Sequence, residues 1–260
     1  MHCHCTMCRK LHGGAFATFG MFDPEAVHWV KGVEHVVRYR SSEFGARNFC
    51  AKCGSVVPAP EKLEGAAYIP MGNVSGDSGE TPALHLFVGS KAPRHAIEDE
   101  HEQNKQRPPG WDNSKQVAQE TREPNNENST AGSSLCGDVR FEYEGEPDRM
   151  MNSHCTRCQR QERAGYGTFV FVSSDKFHWI AGESNVVNYK MPEARVKGTA
   201  FCRHCGSLVA RERDADSMQI PAGSLDSDPG IRPSANIFTA SRAPWITLDE
   251  SIACFAEYPN

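Results

Sequence analysis

The chain has 260 residues, 38% of them hydrophobic and 23% charged, with a formal net charge of −5. This length allows one large domain or two domains of about 100 to 150 residues, and no apolar run approaches the roughly 18 residues that a membrane helix needs. The chain begins with neither the basic nor the apolar region of a secretion signal, so we expect a cytoplasmic protein with no membrane partner.

The predicted secondary structure is mainly β. Short runs rich in β-branched and aromatic residues alternate with Gly, Pro, Asp and Ser, and no long segment has the 3.6-residue period of an amphipathic helix. These runs predict strands at 16–22, 27–30, 36–39, 66–69 and 84–88, and then at 139–143, 166–172, 177–180, 186–189, 218–220 and 235–238.

A polar, acidic stretch separates the two groups of strands. Residues 98–131 contain eight acidic and four basic side chains and therefore carry most of the net charge. The later part of this stretch has too few large apolar residues to offset the entropy of ordering, and we predict a linker at 110–131. The rest of the chain is nearly neutral and has no basic stripe, which argues against a nucleic-acid partner.

The chain has 11 cysteines, an odd number. In a reducing compartment they are expected to be metal ligands or reactive thiols rather than disulfides. Eight of them form four Cys-x-x-Cys pairs, which are Cys5/Cys8, Cys50/Cys53, Cys155/Cys158 and Cys202/Cys205. The other three are Cys3, Cys136 and Cys254, of which Cys254 lies outside any motif and is expected in the core.

The two halves of the chain are copies of each other. Residues 4–8 match residues 154–158 at an offset of 150, and residues 49–55 match residues 201–207 at an offset of 152. Matches spread over about 100 residues indicate an internal repeat. We therefore predict a first domain at 1–109 and a second at 132–260.

The first copy is incomplete. Residues 134–150 of the second copy have no counterpart in the first, and the alternation of Val139, Phe141 and Tyr143 predicts a strand there. The first repeat is therefore expected to lack its N-terminal strand. The sheet edge that this leaves unpaired is a candidate surface for self-association.

Two Cys-x-x-Cys knuckles can complete a tetrahedral zinc site. In the second repeat Cys202 and Cys205 supply one knuckle and Cys136 supplies part of another, with Ser134 at the expected fourth position. In the first repeat only Cys50 and Cys53 remain for this site. We therefore expect incomplete zinc loading.

A different cluster stands at the start of the chain. Cys3, Cys5 and Cys8 place three thiolates within six residues, and three protein ligands with an open fourth position are typical of a catalytic zinc. Such a centre suits the binding of an exchangeable thiol, which as a thiolate can add to a small aldehyde. The aligned trio in the second repeat is Ser153, Cys155 and Cys158, which has lost one thiolate.

Two alternatives accompany this interpretation. His2 or His4 can close the site and make it purely structural. Arg9 and Lys10, the two residues that follow this knuckle, can attract the carboxylates of a tripeptide thiol. Two cations after a knuckle are, however, often only solvated.

The motifs resemble those of the glutathione-dependent formaldehyde-activating enzymes and centromere protein V. The resemblance is carried by Leu-Cys-Gly-Asp-Val-Arg-Phe at 135–141, by His-Cys-Thr-Met-Cys-Arg-Lys at 4–10 with its copy at 154–160, and by Phe-Cys-x-x-Cys-Gly-Ser at 49–55 and 201–207. It covers both repeats.

This resemblance implies two tandem β-tent zinc-binding domains, with up to two zinc ions per repeat and glutathione as co-substrate. It also implies a carbon-sulfur lyase that condenses glutathione with formaldehyde, with Cys3, Cys5 and Cys8 as the active-site ligands. The expected partners are thus a small-molecule thiol and an aldehyde. Family membership alone does not guarantee this substrate, so a non-enzymatic zinc module and a thiol redox sensor remain alternative functions.

Overall fold

The computed structural model describes residues 1–43, 45–59, 65–111, 121–191 and 198–259. Within these ranges the protein is mostly β, with only two short α-helices, as the sequence predicts. No helix in the described ranges is long and apolar enough to cross a membrane.

The elements of the first repeat begin with a short strand that contains the first cysteine. In chain order they are β1 (His2–Cys3), α1 (Thr6–His12), β2 (Ala17–Phe22), β3 (Val36–Ser42), β4 (Gly45–Cys50), β5 (Val56–Val57), β6 (Ala67–Pro70), β7 (Leu84–Leu86) and β8 (Glu102–Gln103).

The second repeat contains a similar series, with two further strands before it and an additional strand, β13, within it. Its elements are β9 (Ser129–Ser133), β10 (Arg140–Glu144), β11 (Arg149–Ser153), α2 (Thr156–Glu162), β12 (Gly167–Ser173), β13 (Phe177–Ala181), β14 (Val186–Lys190), β15 (Gly198–Cys202), β16 (Arg211–Glu212), β17 (Ser217–Pro221), β18 (Ala235–Ile237) and β19 (Ala253–Cys254).

The main sheets of the two repeats have the same topology. The first runs β6-β2-β1-β7-β8 and the second runs β16-β17-β12-β11-β18-β19. In each, the strand that leads to the cysteine knuckle pairs antiparallel on one side and parallel on the other: β1 with β2 and β7, and β11 with β12 and β18. The internal repeat in the sequence is therefore a repeat in the fold.

The prediction of a strand at 27–30 is wrong. Its counterpart β13 pairs with β10, whereas no described residue of the first repeat forms a strand equivalent to β10. A strand needs a neighbouring strand for its backbone N–H and C=O groups, and in the described part of the chain residues 27–30 pair with none. The pairing partner, and not the local sequence, decides the difference between the copies.

The extra sheet of the second repeat, β13-β10-β9, covers one face of its main sheet. Phe141, Tyr143 and Phe177 of this sheet pack with Val172 of β12 in one core cluster. In the first repeat the position of Val172 is taken by Phe22, which is exposed. The missing layer thus leaves an apolar face open to solvent.

The two repeats pack against each other by exchanging equivalent contacts. Helix α1 lies on the 3-10 turn Ala222–Ser224, and α2 lies on the equivalent turn Met71–Asn73. A Cβ atom at Gly223 would meet Arg9 O at 2.2 Å, and one at Gly72 would meet Gln159 O at 2.3 Å. Only glycine allows this approach of helix and turn, which explains the Ile-Pro-x-Gly motif in both repeats.

Part of the predicted linker at 110–131, residues 112–120, lies outside the described residues. Further on, β9 begins at Ser129 and pairs with β10. The expectation that Cys254 is a core residue is wrong, since it is exposed on β19 at the edge of the sheet.

Candidate metal centre and adjoining cavity

The thiols of Cys3, Cys5 and Cys8 converge. Their Sγ atoms lie within 4.8 Å of one another and all three side chains are buried. Strand β1 delivers Cys3, while Cys5 is the N-cap of α1 and its Sγ accepts a hydrogen bond from the backbone N–H of Cys8 at 3.4 Å. The Cys-x-x-Cys spacing thus turns two thiols inward at the start of one helix.

This geometry fits a zinc ion. Zinc–sulfur bonds of about 2.3 Å in a tetrahedron place the sulfur atoms about 3.8 Å apart. The distance from Cys3 Sγ to Cys5 Sγ is 3.6 Å. Three buried thiols at such distances are the donor set of a zinc site with three protein ligands.

The two neighbouring histidines face away from the thiols. His2 Nδ1 lies 3.0 Å from Thr18 Oγ1, and His4 Nε2 lies 2.8 Å from His85 Nδ1. Alternating side chains along an extended segment place both imidazoles on the opposite side from Cys3. Among the described residues, neither histidine adds a fourth donor to the trio.

His4 and His85 form a chain that ends on a carboxylate. Beyond His4, the ring of His85 places its Nε2 atom 2.8 Å from Asp99 Oδ1. The same carboxylate accepts a hydrogen bond from the backbone N–H of His101. These contacts fix the orientation of β1 and hence of Cys3.

A half-buried arginine, Arg47, stands beside the thiols. Burial alone lowers the pKa of the Arg47 guanidinium, but Cys8, Cys5 and Cys3 raise it, and the net shift is upward. A cation in this position stabilises negative charge on the sulfur atoms.

The trio distributes its protons unevenly. Hydrogen bonds from Cys3 and Cys8 lower the pKa of Cys5 well below its usual value, with Arg47 adding to the effect. The hydrogen bond between Cys3 and Cys5 raises the pKa of Cys3. Cys5 is therefore the first thiol of the cluster to ionise.

The thiols face a cavity of about 700 Å³. Its apolar walls include Phe19, Leu86 and Trp111, and its cationic side chains are Arg38, Arg47 and Arg107. A pocket of this size with a few polar groups is typical of a small-molecule site.

A second thiol trio forms in the second repeat. The Sγ atoms of Cys136, Cys202 and Cys205 lie within 4.8 Å of one another, with 3.6 Å between Cys136 and Cys202. Ser134 Oγ lies 3.4 Å from Cys136 Sγ, where the sequence predicts a fourth ligand. This trio also fits zinc and is enclosed by the core, with Leu135 and Val209 in the same cluster.

The other predicted ligands remain pairs. Among the described residues, no third His, Cys, Asp or Glu donor joins Cys50 and Cys53 or Cys155 and Cys158 in a cluster. Zinc binding by these two pairs therefore stays a prediction.

The structure places Lys10 away from the thiol cavity. Its side chain is 1% exposed and its Nζ atom lies 2.7 Å from Asp226 Oδ1, with further hydrogen bonds to the Ser133 carbonyl and hydroxyl. Arg9 does not line the cavity either. The expected attraction of a tripeptide carboxylate does not fit Lys10, because its charge already pairs with a buried carboxylate of the second repeat.

Sequence analysis missed the arginines of the cavity. Arg47 lies on β4, three residues before Cys50, and its counterpart in the second repeat is Thr199. The alignment of the two repeats contains a signal for Arg47, because it shows a charged residue in a short strand next to a knuckle in one copy only.

Both repeats match one family. A family model described as glutathione-dependent formaldehyde-activating enzyme matches residues 1–90 and 129–241. The chain belongs to this family. The two matched segments correspond to the two repeats of the fold, and membership supports a function of the glutathione-dependent, formaldehyde-activating type. The thiol trios are consistent with zinc binding in this family member.

Two further comparisons add little to the family assignment. No curated protein matches the chain significantly. A crystal structure of a Rhodobacter sphaeroides protein is similar at 20% identity, over 40% of this chain and 97% of that chain, with a TM-score of 0.32. At that similarity it carries no argument about this protein.

Proposed function

We propose that the protein is a zinc-dependent carbon-sulfur lyase that joins a glutathione-like thiol to formaldehyde and also catalyses the reverse reaction, with the first repeat as the active one. The observation that carries this proposal is the convergence of Cys3, Cys5 and Cys8 on a cavity that Arg47 also lines. The second repeat has Ser153 in place of Cys3 and Thr199 in place of Arg47.

The cavity suits a tripeptide thiol. Glutathione has two carboxylates, and Arg38 and Arg107 line the same cavity as the thiols. Arginine pairs with carboxylates through two parallel N–H···O bonds. The apolar wall around Phe19 and Trp111 excludes water from the backbone of a bound peptide.

The reaction needs a thiolate and a proton. The sulfur of the thiol adds to the carbonyl carbon of formaldehyde, the C=O π bond breaks, and the oxygen takes the proton that the thiol lost. The product is an S-hydroxymethyl thioether, and atoms balance without a redox partner. Arg47 contributes by favouring negative charge near the cysteines, and the buried walls hold the two reactants together.

Zinc bound by Cys3, Cys5 and Cys8 would keep an added thiol ionised at neutral pH. The residues that hold the trio in place are Cys5, as the helix cap, and His4, through its contact with His85.

Exchange spectroscopy by NMR on a mixture of glutathione and formaldehyde tests the proposal. The zinc-loaded protein is expected to accelerate exchange between the free thiol and its hydroxymethyl adduct. Cys8→Ser removes one of the three sulfur ligands and should abolish the acceleration. The matched control is Cys158→Ser at the equivalent position of the second repeat, which should retain it.

Two results would overturn the proposal. One is a zinc-loaded protein that leaves the exchange rate at its uncatalysed value, which would favour a non-enzymatic zinc module. The other is loss of activity in Cys158→Ser with activity kept in Cys8→Ser, which would move the chemistry to the second repeat.

A further inference from the structure

A second cavity, of about 520 Å³, lies between the repeats. It is lined by His2 of β1 and His85 of the neighbouring strand β7, which lie on the face opposite to the thiols, and none of its lining residues is a cysteine. The second repeat contributes the equivalent positions, Asn152 and Asn236. The cavity is therefore built from matching elements of both repeats and is distinct from the thiol cavity.

Aromatic and aliphatic side chains form one wall. Phe16 and its counterpart Tyr166 pack edge to face with ring centroids 5.7 Å apart. Trp245 and Ile246 pack in the same cluster. Such a wall suits the apolar body of a small ligand.

Arg94 supplies a buried cation. Its side chain is 6% exposed, and its Nε and Nη2 atoms have no hydrogen-bond partner among the described residues. Burial lowers the pKa of Arg94 to about 9, which leaves the guanidinium protonated at neutral pH. A buried charged donor without an acceptor lowers the stability of the fold, and a bound anion would supply the acceptor.

Trp245 supplies a second donor. Its Nε1 atom is buried without a partner in the described part of the chain. Trp245 stands in the second repeat where Arg94 stands in the first, at an offset of 151 residues. One repeat thus brings the charge to the cavity and the other brings an aromatic N–H donor.

Three other charged side chains of the cavity already have hydrogen-bond partners. Lys91 donates to the carbonyl of His95, and Asp99 accepts from His85 and from the backbone of His101. Asp249 accepts from the backbone and the hydroxyl of Ser251.

Asp228, an acid that acts on Arg94, is also engaged. Asp228 contributes to the field at Arg94, but both of its oxygens bond Arg232, at 2.9 and 3.0 Å. A ligand carboxylate would therefore find Arg94 as the buried cation that no described carboxylate holds.

We propose that the cavity between the repeats binds a small carboxylic acid with an apolar or aromatic body, whose carboxylate pairs with Arg94 and whose body lies on Phe16, Tyr166 and Trp245. This site does not depend on the thiol chemistry, because it lies on the other face of β1.

Calorimetric titration with benzoate tests this site, with benzamide as the neutral probe of the same shape. Benzoate is expected to bind and benzamide to bind at least about tenfold more weakly, a difference of about 1.4 kcal/mol. Arg94→Gln should weaken benzoate binding by about tenfold or more, and Trp245→Phe should weaken it by a smaller factor. Arg47→Gln, in the thiol cavity, should leave it unchanged.

Thermal unfolding of each variant establishes that it folds. If Arg94→Gln does not fold, the comparison of benzoate with benzamide and the Trp245→Phe variant still test the proposal. The proposal is wrong if benzoate does not bind the intact protein, if benzamide binds equally well, or if Arg47→Gln abolishes binding. Failure of the thiol-aldehyde activity would not affect this result, since neither probe contains sulfur or an aldehyde.

Discussion

Cys158 Sγ donates a hydrogen bond to Ser153 Oγ over a distance of 3.1 Å. The equivalent residues of the first repeat are Cys8 and Cys3, which belong to the thiol trio. The second repeat therefore keeps the backbone geometry of the trio and has a hydroxyl in place of one sulfur.

Restoring that sulfur should create a third trio. In Ser153→Cys the new thiol stands beside Cys155 and Cys158, and three thiolates bind zinc far better than two. We expect the zinc content, measured by native mass spectrometry, to rise by one ion per chain. Ser251→Cys, which adds an exposed thiol far from any knuckle, is the control and should add none. Equal zinc content in Ser153→Cys and the parent protein would contradict this expectation.

Arg47 should matter for catalysis. Replacement by Gln removes the half-buried cation beside Cys5 and Cys8. We expect kcat/KM for the thiol-aldehyde reaction to fall by about tenfold or more, which corresponds to a loss of about 1.4 kcal/mol of transition-state stabilisation. The matched control is Arg40→Gln, an exposed residue on the neighbouring strand β3, which should leave the rate unchanged. Similar rates for both variants would remove Arg47 from the mechanism.

The ion pair between Lys10 and Asp226 should stabilise the contact between the repeats. Lys10→Met leaves the fully buried carboxylate of Asp226 without its cation, which costs about 3 to 5 kcal/mol. Urea denaturation should show this loss in the free energy of unfolding. The equivalent pair in the second repeat is Arg160 with Ser75, an exposed contact of 3.4 Å.

Arg160→Met is therefore the control and should cost less than about 1 kcal/mol. If Lys10→Met also lowers the free energy of unfolding only slightly, Asp226 finds another partner or takes up a proton.

His12 should make stability depend on acid pH. Its side chain is fully buried, its Nδ1–H donates to the Glu162 carbonyl at 2.9 Å, and burial lowers its pKa to about 3. As pH falls below about 6.5, the unfolded chain binds a proton that the folded protein cannot bind until about pH 3, so the free energy of unfolding falls by about 1.4 kcal/mol per pH unit.

Urea denaturation at several pH values between 4 and 7 measures this slope. His12→Gln should have a shallower slope than the parent protein, whereas replacement of the exposed His28 by Gln should leave the slope unchanged. An identical slope in His12→Gln would assign the acid sensitivity to other groups.

Several features follow from the sequence because they depend on short-range patterns. The compact run of β-branched and aromatic residues at 166–172 predicts β12, and the spacing of Cys5 and Cys8 predicts a knuckle that the start of α1 forms. The offset of 150 to 152 residues predicts two copies of one fold. Each of these signals lies within a few residues or in a direct comparison of the two copies.

Longer-range relationships needed the tertiary structure. The strand predicted at 27–30 fails because strand formation requires a partner, and its local pattern contains no information about one. Lys10 follows a knuckle and resembles a substrate-binding cation in the sequence, yet the second repeat pairs it with Asp226.

The sequence by itself determined the β class, the repeat and the thiols that cluster at 3–8. Only the tertiary structure decided that Arg47 stands beside those thiols, that His2 and His4 face away from them, and that Arg94 and Trp245 meet in a cavity between the repeats. The physical reason is that charge, burial and hydrogen-bond partners are set by residues that come together from distant parts of the chain, and no local pattern specifies which ones meet.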